Sequence, residues 1–301
     1  GYNNNAIGWQ ALTSNTTGSM NVAVGTGTMS QNTTGSANNA IGQDALTNNT
    51  TGGNNQAFGR NSLQGNTTGS RNIAIGYGAL YQPDTENDNL AIGYQALGAA
   101  IAGGEKNVAI GNYSLDALTS GDNNTGVGYD ALTSNTTGSQ NSASGQESLY
   151  SNTTGTGNTA SGYNSLYSNT DGNYNTASGY SSLLRNTTGR DNTTAGYGSL
   201  RSNTVGSYNT AIGAEALYDA NRTADANAYN TALGYKAGNT GTNDITTGDK
   251  NVLLGANTAA SQATATNQVV IGYGASGHGD NIAVIGNGSN TAIHPHDDNE
   301  V

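Results

Sequence analysis

This chain of 301 residues has no cysteine, so no disulfide can staple it. Large apolar side chains are scarce: one phenylalanine, one tryptophan and two methionines in a composition only 33 % hydrophobic. That supply is too thin for one large globular core. Cations are scarce as well, with nine lysines and arginines, never clustered, and a net charge of −11. This argues against a nucleic-acid partner. No apolar run approaches ~20 residues, so membrane insertion is not expected either. There is no signal peptide and no initiating methionine. Gly1-Tyr2-Asn3-Asn4 enter in the middle of a repeat, as a piece of a longer protein would. The lack of cysteine suits an exposed, extracellular setting.

What the chain does have is periodic glycine. A glycine recurs every 17 residues from Gly8 through Gly25, Gly42, Gly59 and Gly76 to Gly93, and again from Gly111 through Gly128, Gly145, Gly162, Gly179 and Gly196 to Gly213. A fixed short period means one supersecondary unit stacked on copies of itself, which predicts a solenoid. Low hydrophobicity alone would fit disorder, but a disordered segment has no reason to hold an apolar ladder in register.

The repeat reads Asn-Thr-Ala-Ile-Gly-Tyr-x-Ala/Ser-Leu-Tyr/Thr-Ser-Asn-Thr-Thr-Gly-Ser-x, with a clean copy from Asn158 to Tyr174. Two short extended stretches per coil are expected. One is the Thr-Ala-Ile-Gly segment, as in Thr210-Ala211-Ile212-Gly213. The other surrounds the leucine, as in Ser148-Leu149-Tyr150-Ser151. The Asn-Thr-Thr-Gly segment reads as a turn, because Asn and Gly tolerate left-handed backbone. Strand alternation sends the near-constant alanine inward and the residue after it outward. That outward position is Ile in some coils and Ser144, Ser161 and Ser178 in others, which fits partial burial.

Four residues after each marker glycine comes a large apolar residue, predicted to be a core ladder: Leu12, Leu46, Leu63, Leu132, Leu149, Leu166, Leu183 and Leu200, with Met29 in one coil. Four residues before it comes an asparagine, as in Asn21, Asn38 and Asn55. A second asparagine column includes Asn15, Asn32, Asn49, Asn66, Asn135, Asn152 and Asn186. Stacked amides can hydrogen-bond along the axis and to turn backbone, and both columns read as structural.

The pattern divides the chain into a regular 17-residue-repeat solenoid (1–213), coils with insertions (214–255), and C-terminal coils with a cap or tail (256–301). The intervals from Gly213 to Gly234 and from Gly234 to Gly255 are 21 residues each, and the coil from Gly93 to Gly111 carries one extra residue. Insertions in solenoids map to surface loops, often on a binding face.

Asn251-Val252-Leu253-Leu254-Gly255, Gln268-Val269-Val270-Ile271-Gly272-Tyr273-Gly274-Ala275 and Ile282-Ala283-Val284-Ile285-Gly286 resemble the β-roll head repeats of YadA-like trimeric autotransporter adhesins. The longer repeat is similar to arrays in bacterial surface proteins and phage tail fibres. The resemblance implies a left-handed parallel β-roll with three chains side by side. It departs from the adhesin heads in period, since those coils are usually shorter, and with no coiled-coil stalk or membrane anchor read in these residues the autotransporter mechanism itself is not expected.

Candidate chemistry is sparse. His294-Pro295-His296 places two imidazoles on one side of an extended chain, and three copies on a threefold axis would offer six nitrogens to a transition metal. Phage long tail fibres, which the repeat resembles, hold iron with His-x-His along a trimer axis. The plainer reading is a polar tail. Asp84, Glu86 and Asp88 alternate as calcium ligands can, yet lack the rest of a calcium-binding loop. The Asn-Thr-Thr segments at Asn15, Asn32, Asn49, Asn66, Asn135, Asn152 and Asn186 are glycosylation sequons as well as turns, and their paired threonines could order water or ice. Tyr77, Tyr94, Tyr129, Tyr163, Tyr180 and Tyr197 follow the marker glycine as a stacking ladder or a sugar-binding strip. No hydrolase motif or phosphate-binding fingerprint is present.

The expectation is therefore an all-β parallel β-roll or β-solenoid with 17-residue coils, left-handed and trimeric by resemblance. It would serve as the non-catalytic structural and adhesive shaft or head of an extracellular fibre, on a cell surface or virion. Its partners would be itself, as homotrimer or filament, and a cell-surface glycan or other receptor. No cofactor is expected, leaving a transition metal at His294 and His296, or calcium, as the metal chemistry open to it. The alternatives are a subunit of a glycan-decorated filament and a monomeric ice- or carbohydrate-binding solenoid.

Overall fold

The structure is a computed structural model that describes residues 1–221 and 227–287. It is an all-β parallel solenoid with about 17 residues per coil. The chain forms two compact units, Gly1–Asn173 and Tyr174–Val301. The first contains ten strands of three residues each, from Asn5–Ile7 to Thr159–Ser161. The described part of the second contains seven, from Thr176–Ser178 to Ala283–Ile285. Within each unit successive strands pair in parallel without stagger, so Ala23 faces Ala40 and Ala40 faces Ala57. No helix among the described residues is long and apolar enough to cross a membrane.

Most strands are Xaa-Ala-Xaa with the centre buried, as period-two alternation requires. The pairing continues beyond the three strand residues. Leu46 N donates to Ser62 O at 2.9 Å, Asn48 N to Gln64 O at 3.1 Å, and Thr50 N to Thr67 O at 2.8 Å. Much of the turn backbone therefore also finds its partner one coil away.

The strand ends at the marker glycine for two reasons. Its φ, +139° at Gly42, lies in a region that residues with a Cβ avoid. A Cβ built there would also sit 2.5 Å from Gly59 O and 2.6 Å from Gly59 C in the next coil. The glycine column is therefore a line of backbone-to-backbone contacts.

The segment around the leucine is not the second extended stretch read from the sequence. It is a pair of tight turns, closed by Ala45 N donating to Gly42 O and Asn49 N donating to Leu46 O, both at 3.3 Å. Leu46 itself is left-handed, with φ +52°, as are Leu63, Leu132, Leu149, Leu166, Leu183 and Leu200. Such a backbone costs a residue with a Cβ about 1–2 kcal/mol. All of these leucines are fully buried, and burial of one contributes about 1.5–3 kcal/mol. The side chain's destination thus overrides the backbone's preference. Leu12, in the first coil, is half-buried and equally left-handed.

Beside the leucines and alanines, much of the interior is polar, with asparagines from both columns fully buried. Asn38 Nδ2 donates to Gly52 O at 2.9 Å, while Asn38 Oδ1 accepts from Asn55 N at 2.9 Å. From the second column, Asn49 Nδ2 donates to Asn32 Oδ1 at 2.7 Å and to Gly52 O at 3.0 Å. The Gly52 carbonyl thus takes one amide from each column and uses both lone pairs.

In the second unit the leucine position becomes Gly238, with φ +74°. A Cβ there would lie 2.8 Å from Leu217 Cδ2 and 2.9 Å from Leu253 Cδ1. Leu253 stands at a strand centre, where most coils carry alanine, and is fully buried. The bulk has moved from turn to strand, and Val270 keeps it there in the following coil.

Another left-handed column follows the turn glycine. Ala37 belongs to it with φ +59°, and one coil fills the position with Gly157 at φ +70°. Ala37→Gly is expected to stabilise the protein by about 0.5–1 kcal/mol, the relieved strain outweighing the added unfolded-chain entropy. A urea midpoint at or below that of the parent would refute this.

Candidate functional site

Since the strand's central alanine faces inward, its two neighbours face out. In the first unit the outward file beside the marker glycine is apolar over eight successive strands. Ile7, Ile41, Ile75 and Val127 are exposed, and Val24, Phe58, Ile92 and Ile110 half-exposed. Ile73, Leu90 and Val108 widen it. Over the last two strands it turns hydroxylic, with Ser142 and Ser144, then Thr159 and Ser161. In the second unit the outward file begins with Ser178 and Ala195 and becomes apolar with Ile212, Leu233 and Leu254. A chain with so few large apolar residues places many of them where water meets them, and a contiguous stripe of this kind marks a surface for association.

Beside the marker glycine runs the tyrosine file. Tyr77 and Tyr94 stack at 5.2 Å and 10°, and Tyr94 meets Tyr113 edge-on at 5.4 Å. In the second unit Tyr180 and Tyr197 stack at 5.4 Å. Coil pitch sets these spacings, because parallel strands lie about 4.8 Å apart. Arg60 covers the Tyr77 ring at 6.0 Å. Tyr129 and Tyr163 are also exposed. A second aromatic file, one residue after the leucine, was not anticipated: Tyr150 stacks on Tyr167 at 4.9 Å and 6°. Its signal was the recurrence of Tyr after Leu at 17-residue spacing.

The sequon asparagines fall in the buried amide column. Asn32, Asn49, Asn66, Asn135, Asn152 and Asn186 have no exposed surface, and Asn15 is half-buried. Each Nδ2 donates to the carbonyl of the glycine three residues on, at 2.9–3.0 Å. A sugar joined to that nitrogen has no room in the folded coil. The paired threonines separate into two roles. Thr33 Oγ1 donates to Thr50 O at 3.0 Å, whereas Thr34, Thr51 and Thr68 are exposed.

The three carboxylates of the calcium reading each have a different partner. Asp84 Oδ1 accepts from Thr67 Oγ1 at 2.6 Å. Glu86 is almost wholly buried and accepts from Thr85 N at 3.0 Å and Gly103 N at 2.8 Å. Asp88 takes a bidentate grip from Arg71 at 2.6 and 2.8 Å, which holds its carboxyl below the usual range. Elsewhere, burial pushes Asp116 up, and burial with the Glu147 charge pushes Asp130 up. No group of three or more His, Asp or Glu side chains suited to a metal ion occurs among the described residues. His294 and His296 lie outside the described residues.

A concavity lies on the surface of the first unit. Asn61, Tyr77, Gly78, Tyr81 and Gln95 line a cavity of about 220 Å³. Its signal in the sequence was Gly78, two residues after a marker glycine, where the adjacent coils carry Asn61 and Gln95.

These surfaces, on an all-β parallel solenoid, are what the chain offers to a partner. No protein-family model matches the chain, and no curated protein matches it.

Proposed function

We propose that this chain is the structural and adhesive shaft or head of an extracellular fibre, of the phage tail-fibre or bacterial surface-adhesin kind, and that it performs no catalysis. The carrying observation is the apolar outward file over eight successive strands of the first unit. Three chains meeting side by side along that file would remove it from water. The contact ends where the file becomes Ser144 and Ser161, so the copies stay in defined register. The stacked coils supply stiffness and protection from proteases, and the repeated outer surface supplies many weak contacts whose effects multiply.

Light scattering behind a sizing column tests this. Wild type is expected at three times the 30.3 kDa chain mass. Ile75→Asp is expected at the mass of one chain, with an unchanged far-ultraviolet spectrum, since Ile75 is 40 % exposed and its charge harms only an interface. A wild-type mass of one chain overturns the trimer and favours the second reading, a monomeric carbohydrate-binding solenoid, which the tyrosine-lined cavity supports. The glycan-coated filament is disfavoured, because its sequon amides are buried.

A further inference from the structure

We propose that the cavity around Gly78 is a binding subsite for one uncharged sugar ring of a polysaccharide. Asn61, Gly78 and Gln95 occupy the same position in three successive coils, joined by Gly78 N donating to Arg60 O at 3.0 Å and Gln95 N donating to Tyr77 O at 3.0 Å. A side chain at the middle position would fill the space between the two amides. Glycine leaves it open: a Cβ on Gly78 would touch only Gln95 Cγ, at 3.6 Å. With coils about 4.8 Å apart, the backbone positions of Asn61 and Gln95 stand roughly 9–10 Å from each other, a spacing on the scale of a six-membered ring.

The walls suit a sugar better than an ion. No lining residue is charged. Neither the Asn61 nor the Gln95 side chain has a hydrogen-bond partner among the described residues, so each can both donate to and accept from vicinal hydroxyls. Tyr81 supplies the apolar wall. In its column Tyr150 is covered by Tyr167, but the residue one coil beyond Tyr81 is Gly98, and Tyr81 makes no ring contact among the described residues. A concave site with an aromatic wall and a few convergent polar groups is the usual form of a small-ligand site. The Tyr77 ring contributes an edge, since Arg60 and Tyr94 lie over its faces.

The subsite rests on the adhesive half of the function proposed above and is independent of self-association. Saturation-transfer NMR of the intact chain, with methyl glycosides of glucose, galactose, mannose and N-acetylglucosamine as probes, tests it. At least one probe is expected to receive saturation from wild type. Gly78→Asn fills the notch in a left-handed conformation that Asn61 itself adopts at φ +60°, and should weaken that binding at least tenfold. Tyr81→Leu should do the same. Gly274→Asn, where a Cβ meets nothing within 4 Å, should bind as wild type does. No transfer to any probe, or undiminished transfer in Gly78→Asn, overturns the subsite. A trimer that binds no sugar removes the subsite alone, whereas a sugar-binding single chain removes the fibre alone.

Discussion

Asn55→Asp, a replacement of nearly identical shape, is expected to destabilise the protein by about 3–5 kcal/mol at neutral pH, the scale set by an uncompensated buried charge. Asn55 has no exposed surface. Its Oδ1 accepts from Asn72 N at 2.9 Å, and an aspartate would keep that bond. Its Nδ2 donates to Gly69 O at 2.8 Å, and an ionised carboxylate would instead set oxygen against oxygen. Protonation repairs the fault, because a neutral carboxyl can donate to Gly69 O. Burial raises the folded-state pKa of the new group above the ~3.9 of an unfolded aspartate. The penalty is therefore absent below that value, grows as pH rises through the interval between the two pKa values, and levels off above the folded one. Urea unfolding of parent and variant at about pH 3 and pH 7 measures it, with pH 3 chosen to lie below the unfolded value. Equal destabilisation at both would show that the amide column contributes shape and not hydrogen bonding.

Gly42→Ala is expected to be comparably severe, on the order of 4 kcal/mol, because strain and contact act together. The φ of +139° is hostile to alanine, and the new methyl would press on the carbonyl of Gly59. Gly274→Ala separates the two effects. It shares a positive φ, +64°, but its Cβ meets nothing within 4 Å, so it should cost about 1 kcal/mol. If the two variants lose the same stability, the glycine column is a matter of backbone conformation, and the coils can spread to admit a methyl.

Much of this architecture is readable in the residues because one rule is repeated many times. Small residues at Ala23, Ala40 and Ala57 mark the inward strand position, and the alternation of Ile41 with Ser144 marks the outward one. The conformation of the leucine was not readable. Leucine disfavours a left-handed backbone, and nothing local to Leu46 requires one; the requirement comes from the neighbouring coils, which leave its side chain no other place to go. The sequons show a different limit. Asn49-Thr50-Thr51 carries the same letters whether its amide is a glycan acceptor or a buried strut, and only burial separates the two. The candidate sugar site hid in an absence. Gly78 and Gly98 look like two glycines among 45, yet each stands in a different column that carries side chains in neighbouring coils, Asn61 and Gln95 for the first and Tyr81 for the second.

The unstaggered register also has a genetic meaning. Recombination between neighbouring copies that inserts or removes 17 codons adds or deletes one whole layer, and each remaining donor still faces an acceptor. The gene can thus change the number of layers without inventing a new contact. Frame errors within a layer are tolerated only where the chain runs outside the ladder. The extra residue between Gly93 and Gly111 is taken up around Gly103, whose Cβ would meet nothing within 4 Å, while Asn107 still finds Asn89 at 2.9 Å. Length is therefore the property of this protein that inheritance can vary most cheaply, and the glycine column is the one it can vary least.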